Sequence, residues 1–272
     1  MTRYSLARPS DLPGFRSLPG AVVLDARSAA DYWTGHLEGA LHIDAAVLTL
    51  ARTDAASLGR FQAQLAWVLS TLGVTAQSPV LVYGAQNEVN VSRAAWALGY
   101  AGIEQIRLLD GGLAALPGAA LSTAAPAVTP KAFELRPHTA WLATADEVLA
   151  LSRAGGGVVV DARERDEFEG LKSNARRKGR VPGARHWDTR HELGAEGLFN
   201  PPAALSAPLD ALGTKDQRLV AYCGGGGRAA RSFIAWQLAG RENVAVYPAS
   251  WAEWGNRDEL PVSAGDEQAV PA

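Results

Sequence analysis

At 272 residues and 47 % apolar side chains, the chain is long enough for two domains of ordinary size, each with a core of its own. Its 26 Lys and Arg against 28 Asp and Glu leave a formal charge of −2, which speaks against nucleic acid or a membrane surface as partner. One cysteine excludes an internal disulfide and fits a reducing compartment. No apolar leader and no run of membrane-spanning length is visible, so a cytoplasmic protein is expected.

Residues 21–25 (AVVLD) read as a β-branched strand ending in an acid, followed by a short helix over 28–33 and the turn GHLEGA into a further buried run. Phe61, Leu65, Val68, Leu69 and Leu72 recur at helical spacing over 58–72, and Gly73 closes that helix. Residues 79–83 (PVLVY) are a strand and 90–98 a helix, with Asn90 or Ser92 available as its cap. A strand over 106–109 is closed by Asp110, Gly111 and Gly112. From about 116 to 137 the texture turns to Pro, Ala and small polar residues, which predicts a linker.

The pattern then restarts. Thr144 and Glu147 predict a capping box for a helix over 144–151. Residues 157–161 (GVVVD) are a strand, 180–186 a turn into a strand, and 208–212 a short helical piece. A strand over 219–222, a helix over 228–238 and a strand over 244–247 follow, and WAEWGNR reads as a terminal loop. Alternating strands and helices predict an α/β fold whose mostly parallel sheets carry helices on both faces.

The second half repeats the first. VVLDAR from Val22 matches VVVDAR from Val158, and VLVYGAQNEVNVSRAAWAL from Val80 matches LVAYCGGGGRAARSFIAWQL from Leu219. The chain therefore holds two copies of one α/β domain, expected over 1–120 and 141–265 with a linker at 121–140.

The copies differ at one loop. In the second, a strand ends in Cys223 and passes through Gly224, Gly225, Gly226 and Gly227 to Arg228 and a helix. This sets a thiol among inward-pointing amides at the positive end of a helix, where a thiolate is stable and reactive. A lone cysteine is usually a small buried hydrophobe, but a plain turn does not need four glycines. In the first copy Gly84 holds the cysteine position and the glycine run is gone. No lysine follows the glycines, so this is not a phosphate loop of the GxxxxGK type. His186 and His191 lack the companions of a metal site, so neither metal nor cofactor is expected. His36 reads as a packing residue and Tyr222 as core.

In these residues the chain resembles the tandem-domain rhodanese-type sulfurtransferases, which include thiosulfate and 3-mercaptopyruvate sulfurtransferases. The resemblance spans about residues 18–262. It rests on the two DAR segments (Asp25–Arg27, Asp161–Arg163), GHLEGA and GRVPGA, LLDGG, EWGNRDELPV, and an active-loop cysteine in the second copy only. It implies that Cys223 takes the outer sulfur of a small anionic donor, thiosulfate or 3-mercaptopyruvate. The resulting persulfide, cradled by the loop amides of residues 224–228, passes its sulfur to cyanide, a small thiol or a protein thiol. Asp161 and Arg163 are implied to be structural.

Cysteine phosphatases of a related fold place five residues between cysteine and arginine. Here four separate Cys223 from Arg228, a ring sized for sulfur more than for phosphate. Departures from the family pattern bear on the donor. Gly225 stands where mercaptopyruvate-specific members carry serine and thiosulfate-specific ones a basic residue. Glu167 stands where both carry a substrate-binding arginine, and is expected to repel an anion. Arg176, Arg177 and Arg180 are the candidates to compensate, and Trp251 and Trp254 are candidates either to line the donor cleft or to pack between the domains. Arg228 favours a dianion, which puts thiosulfate ahead of 3-mercaptopyruvate. A non-enzymatic binding or regulatory module, with donor capture spoiled by Glu167, is the alternative from another class.

Overall fold

Each repeat builds its own parallel sheet in the computed structural model of the chain, which describes residues 3–264. Met1, Thr2 and residue 265, which bound the expected domains, lie outside the described residues. The chain divides into two units. Unit 1 runs to Leu48 and adds Gly59–Thr139 and Leu193–Phe199; unit 2 takes Thr49–Leu58, Ala140–Glu192 and the chain from Asn200 on.

Unit 1 contains, in chain order, β1 (Tyr4–Ala7), α1 (Leu12–Arg16), β2 (Val22–Asp25), α2 (Ala29–Thr34), β3 (His36–Leu37) and β4 (Leu41–His42). It continues with α3 (Ala55–Thr71, its first turn assigned to unit 2), β5 (Val80–Tyr83), α4 (Val89–Ala101), β6 (Ile106–Leu109) and β7 (Leu121–Ser122). Five strands form a wholly parallel sheet in the order β1-β6-β5-β2-β4, and β3 pairs antiparallel with β7. The unbroken VLVY of β5 is buried throughout, as a strand covered on both faces must be. The central α4 is buried almost end to end, which is why Ala and Gly replace a polar face along it. Ser28 caps α2, its side chain accepting from the Asp31 amide at 3.1 Å.

The proline-rich stretch read as a linker is a strap held on unit 1. The Lys131 and Phe133 amides donate to the carbonyl and the hydroxyl of Ser70, both at 3.0 Å. The Arg136 and His138 amides donate to the carbonyls of Ala101 and Tyr100. Backbone pairing of this kind has no side-chain signature, so composition alone reads as linker.

Unit 2 contains α5 (Ala145–Ala154), β8 (Gly157–Asp161), α6 (Arg165–Phe168), β9 (Arg185–His186), α7 (Pro202–Leu212), β10 (Arg218–Tyr222), α8 (Gly227–Leu238), β11 (Val244–Val246) and α9 (Ser250–Trp254). Its parallel sheet has the order β11-β10-β8-β9. Where unit 1 has β1, unit 2 keeps a single parallel bridge from Leu142 to Val246. Thr144 accepts from the Glu147 amide at 3.2 Å as expected of a cap. The box stays half-made, because the Glu147 carboxylate takes Arg218 at 2.8 Å instead. WAEWGNR, expected as a loop, opens with the helix α9.

The repeat recurs as duplicated hydrogen bonding. Asp25 sits opposite Tyr83 and Asp161 opposite Tyr222 in the two sheets. Arg163 forks onto Asp161 (2.6 Å) and reaches the Gly179 carbonyl (2.7 Å), as Arg27 does with Asp25 (2.6 Å) and Gly35 (2.6 Å). Tyr222 donates to Asp161 at 2.6 Å and accepts the Val181 amide, and Tyr83 accepts the Leu37 amide. Both aspartates are fully buried, so these bidentate pairs tie the turn after each DAR segment to the middle of its sheet. His36 is fully buried, stacked on Tyr32 at 4.0 Å and bonded to the Tyr32 and Ala124 carbonyls. No helix among the described residues is long and apolar enough to cross a membrane.

Candidate active site

The central strand β10 delivers Cys223 to the carboxyl edge of its sheet, the place where open parallel sheets keep ligands. The loop then turns directly into α8. Gly226 forces that turn: its φ is +87°, and a β-carbon there would lie 2.4 Å from the Pro248 carbonyl oxygen. Gly225 is different, since no atom stands within 4 Å of where its β-carbon would be. Its glycine is thus not demanded by packing, and what it removes is a side chain at the mouth of the loop.

Cys223 is 2 % exposed. Its amide donates to the Ser250 hydroxyl at 3.0 Å, and its carbonyl accepts the Trp251 amide at 2.9 Å. The Gly224 carbonyl accepts the Ala252 amide at 2.9 Å, so α9 holds the start of the loop by three bonds. Ser250 is the only non-glycine with positive φ (54°) among the described residues, and its hydroxyl donates onward to the Tyr247 carbonyl at 2.8 Å. Nothing local in the sequence marks Ser250, because its partner lies 27 residues earlier. The body of α8 is fixed by Glu192, fully buried, which accepts from Ser232 at 2.5 Å, Arg231 at 2.7 Å and Trp187 at 2.8 Å.

Arg228 closes the loop. Its Nη1 donates to Glu167 Oε2 at 2.8 Å and lies 3.7 Å from Glu164 Oε1; its Nη2 is 3.4 Å from the β-carbon position of Gly224. Burial works against the charge of this guanidinium. The Glu167 hydrogen bond and the fields of Cys223 and Glu167 outweigh that and raise its pKa. Burial likewise opposes ionisation of Glu167, but Arg228 and the Glu164 amide, which donates to it at 3.1 Å, hold it below the usual carboxylate value. Glu167, read from the sequence as a charge that repels an anionic donor, is paired with the loop-end cation that faces it. Glu164, three residues before it, forms a capping box with it across α6.

The other candidate cations are engaged in structure. Arg176 is tied to Asn256 and Asp258 on the surface. Arg177 donates to the carbonyls of Trp254, Gly255, Arg257 and Leu260 and so clamps the turn after α9. Arg180 stacks on Phe168 at 4.6 Å and pairs its backbone with Ser263. Trp251 and Trp254 are 2 % and 0 % exposed. Trp251 lies under the Arg163 guanidinium at 4.4 Å and bonds Ser173, and Trp254 donates to the Pro261 carbonyl at 2.7 Å. Trp251 stacks near Tyr222 and Trp254 meets Tyr247 edge-on, both with ring centroids 6.4 Å apart. Arg228 alone among the expected donor ligands is built into the cysteine loop itself.

The first-copy loop is filled from within. Neither Asn90 nor Ser92 caps α4; Glu88 stands at the cap and folds its carboxylate back over the loop. The amides of Gln86, Ala85 and Glu88 donate to that carboxylate, and burial still raises its pKa. A β-carbon at Gly84 would lie 2.1 Å from Glu88 Oε2. Gly84 and Ala85 carbonyls accept the Leu113 and Ala114 amides, and Gly112 has φ +57°, the counterpart of Ser250.

Comparison with known proteins gives the same picture. The rhodanese-like domain family matches twice, at residues 10–117 and 144–257. The chain is 31 % identical to a probable 3-mercaptopyruvate sulfurtransferase of Pseudomonas aeruginosa, over 98 % of this chain and 100 % of that one. It is 28 % identical to the thiosulfate sulfurtransferase of Azotobacter vinelandii, covering 93 % and 95 %. It is 30 % identical to the sulfur carrier protein TtuD of Thermus thermophilus, covering 87 % and 88 %. In fold it is similar to an anaerobic ergothioneine biosynthesis enzyme from Chlorobium limicola bound to trimethyl histidine. That match has a TM-score of 0.84 and 23 % identity over 98 % of this chain and 70 % of the other.

Proposed function

The chain belongs to the rhodanese-like family and is a sulfurtransferase, and from that premise we propose that Cys223 accepts the outer sulfur of thiosulfate. The thiolate attacks that sulfur, a Cys–S–S bond forms, the donor S–S bond breaks, and sulfite leaves with the electron pair. Attack of cyanide or a thiol on the outer persulfide sulfur then returns the free cysteine. The first amides of α8 have no acceptor within the helix, and with the loop amides they supply fixed donors to the negative sulfur. Gly224, Gly225, Gly226, Gly227 and Arg228 form this cradle, while Asp161 and Arg163 hold the neighbouring turn. A single free thiol and the absence of paired cysteines favour a cytoplasmic setting.

The observation that carries the reading is the placement of Cys223: bolted by backbone to α9, at the start of α8, with the Arg228 guanidinium folded over the adjacent glycine. The thiosulfate sulfurtransferase at 28 % identity supports thiosulfate as first donor. The relative at 31 % identity supports 3-mercaptopyruvate as second. Incubation with thiosulfate is expected to add one sulfur atom to the protein mass, removable by cyanide and absent from Cys223→Ser. Persistence of the adduct in that variant, or no adduct with either donor, sinks the reading.

A further inference from the structure

We propose that Glu167 sets the donor charge selectivity of the Cys223 loop by withholding from the donor most of the charge of Arg228. The proposal rests on Cys223 being the sulfur acceptor and concerns a residue that touches neither the sulfur nor the donor.

Arg228 is the one cation built into the loop, and it meets Glu167 at 2.8 Å with Glu164 at 3.7 Å. The Glu167 side chain is 11 % exposed and that of Arg228 25 %, so this pair is poorly screened by solvent. Glu167 cannot swing aside freely, because its carboxylate also takes the Glu164 amide across α6. The nearby Arg163 does not restore a positive field, since Asp161 neutralises it at 2.6 Å with both side chains fully buried. An approaching anion therefore meets a guanidinium whose charge is largely cancelled. Such a loop captures mono- and dianionic donors with nearly equal ease, and its orientation of Arg228 is bought without a strong preference for charge.

Coulomb energy is linear in donor charge, so uncovering Arg228 acts twice as strongly, in free energy, on a dianion as on a monoanion. Glu167→Gln keeps an acceptor for Arg228 and for the Glu164 amide while removing the charge. It is expected to raise kcat/KM about threefold for monoanionic 3-mercaptopyruvate and about tenfold for dianionic thiosulfate, the second factor being roughly the square of the first. Arg228→Gln, which leaves Glu167 uncompensated, is expected to lower both with the same quadratic relation. The double variant should bring the ratio of the two donors back near that of the unaltered protein.

Equal factors for the two donors, or a loss with both in Glu167→Gln, overturn the proposal, and so does a double variant whose donor ratio stays displaced. If Glu167→Gln does not fold, the factors from Arg228→Gln alone decide. Unaltered protein that takes sulfur from neither donor overturns the sulfur-transfer reading as well. Normal persulfide formation with an unmoved donor ratio overturns only the role of Glu167.

Discussion

Ser250 holds a left-handed backbone conformation that the matching position of the first repeat gives to Gly112. Both residues turn the chain so that the next two amides reach the loop carbonyls, but only serine adds a hydroxyl to receive the Cys223 amide. That hydroxyl is fully buried and donates a hydrogen bond to the Tyr247 carbonyl, so removing it leaves two buried backbone groups short of a partner. Ser250→Ala keeps the unfavourable φ and loses both bonds, at an expected cost of about 1–3 kcal/mol in chemical denaturation. Ser250→Gly loses the same bonds but relieves the backbone, so its cost should be smaller by about 1 kcal/mol. Both variants should also slow persulfide formation, since the cysteine is then held by carbonyl contacts alone. A Ser250→Gly variant less stable than Ser250→Ala would show that the positive φ carries no strain. The sequence could place Cys223, its glycines and Arg228, because they are contiguous. Ser250 and the partner of Glu167 were beyond it, because each depends on a contact that only the folded chain creates.

The two loops after the central strands show how one element can keep its frame and lose its chemistry. The distance between copies grows from 139 residues at Tyr83 and Tyr222 to 140 at Trp96 and Trp236, so the first loop is one residue shorter. Its loop-end residue, Glu88, matches Arg228 in that register and turns inward where Arg228 turns outward to Glu167. The cradle of amides persists and holds a carboxylate from its own chain in place of a sulfur. Restoring the cysteine alone should therefore fail. In a Cys223→Ser background, Gly84→Cys would bring its β-carbon into the Glu88 carboxylate, and its thiol is expected to alkylate slowly. Adding Glu88→Ala should speed alkylation by at least tenfold. Equal rates in the two variants would show that Glu88 does not occupy the cradle. The strands and long helices were legible because their apolar runs have the period of their element. The short α9 was not: five residues with two tryptophans and a following glycine carry too little periodicity to separate a helix from a loop. The four residues of β1 were missed for the same reason, and α7 extended six residues earlier than its apolar spacing indicated, with Pro208 inside it.

Neither unit is a continuous stretch of sequence, although the repeat invites a single cut near residue 140. Residues 49–58 belong to unit 2 and residues 193–199 to unit 1, and each segment ends on a buried or half-buried acid of the unit it joins. In unit 1 Asp110 accepts the Phe199 amide at 3.0 Å and Asn87 at 2.6 Å. In unit 2 Glu253, 2 % exposed, accepts the Thr53 amide at 3.1 Å, the Thr53 hydroxyl at 2.8 Å and Tyr247 at 2.9 Å. The Thr53 oxygen also accepts the Ala145 amide at 2.9 Å, at the start of α5. Glu253 lies on α9, the helix whose first amides hold the Cys223 loop, so a residue from the first repeat helps to seat the chemistry of the second. Thr53→Val keeps the shape and deletes the hydroxyl, leaving Glu253 one donor poorer and the Ala145 amide without its acceptor. The expected loss is about 1–3 kcal/mol of stability, because both groups are buried. It should come with a slower uptake of sulfur by Cys223, measured in a single turnover. A comparable hydroxyl deletion at exposed Thr71, which bonds only within α3, should cost less than about 0.5 kcal/mol and leave sulfur uptake unchanged. Were Thr53→Val as mild as Thr71→Val in both measurements, the segment would be a passive connection, and unit 2 would be self-sufficient after all.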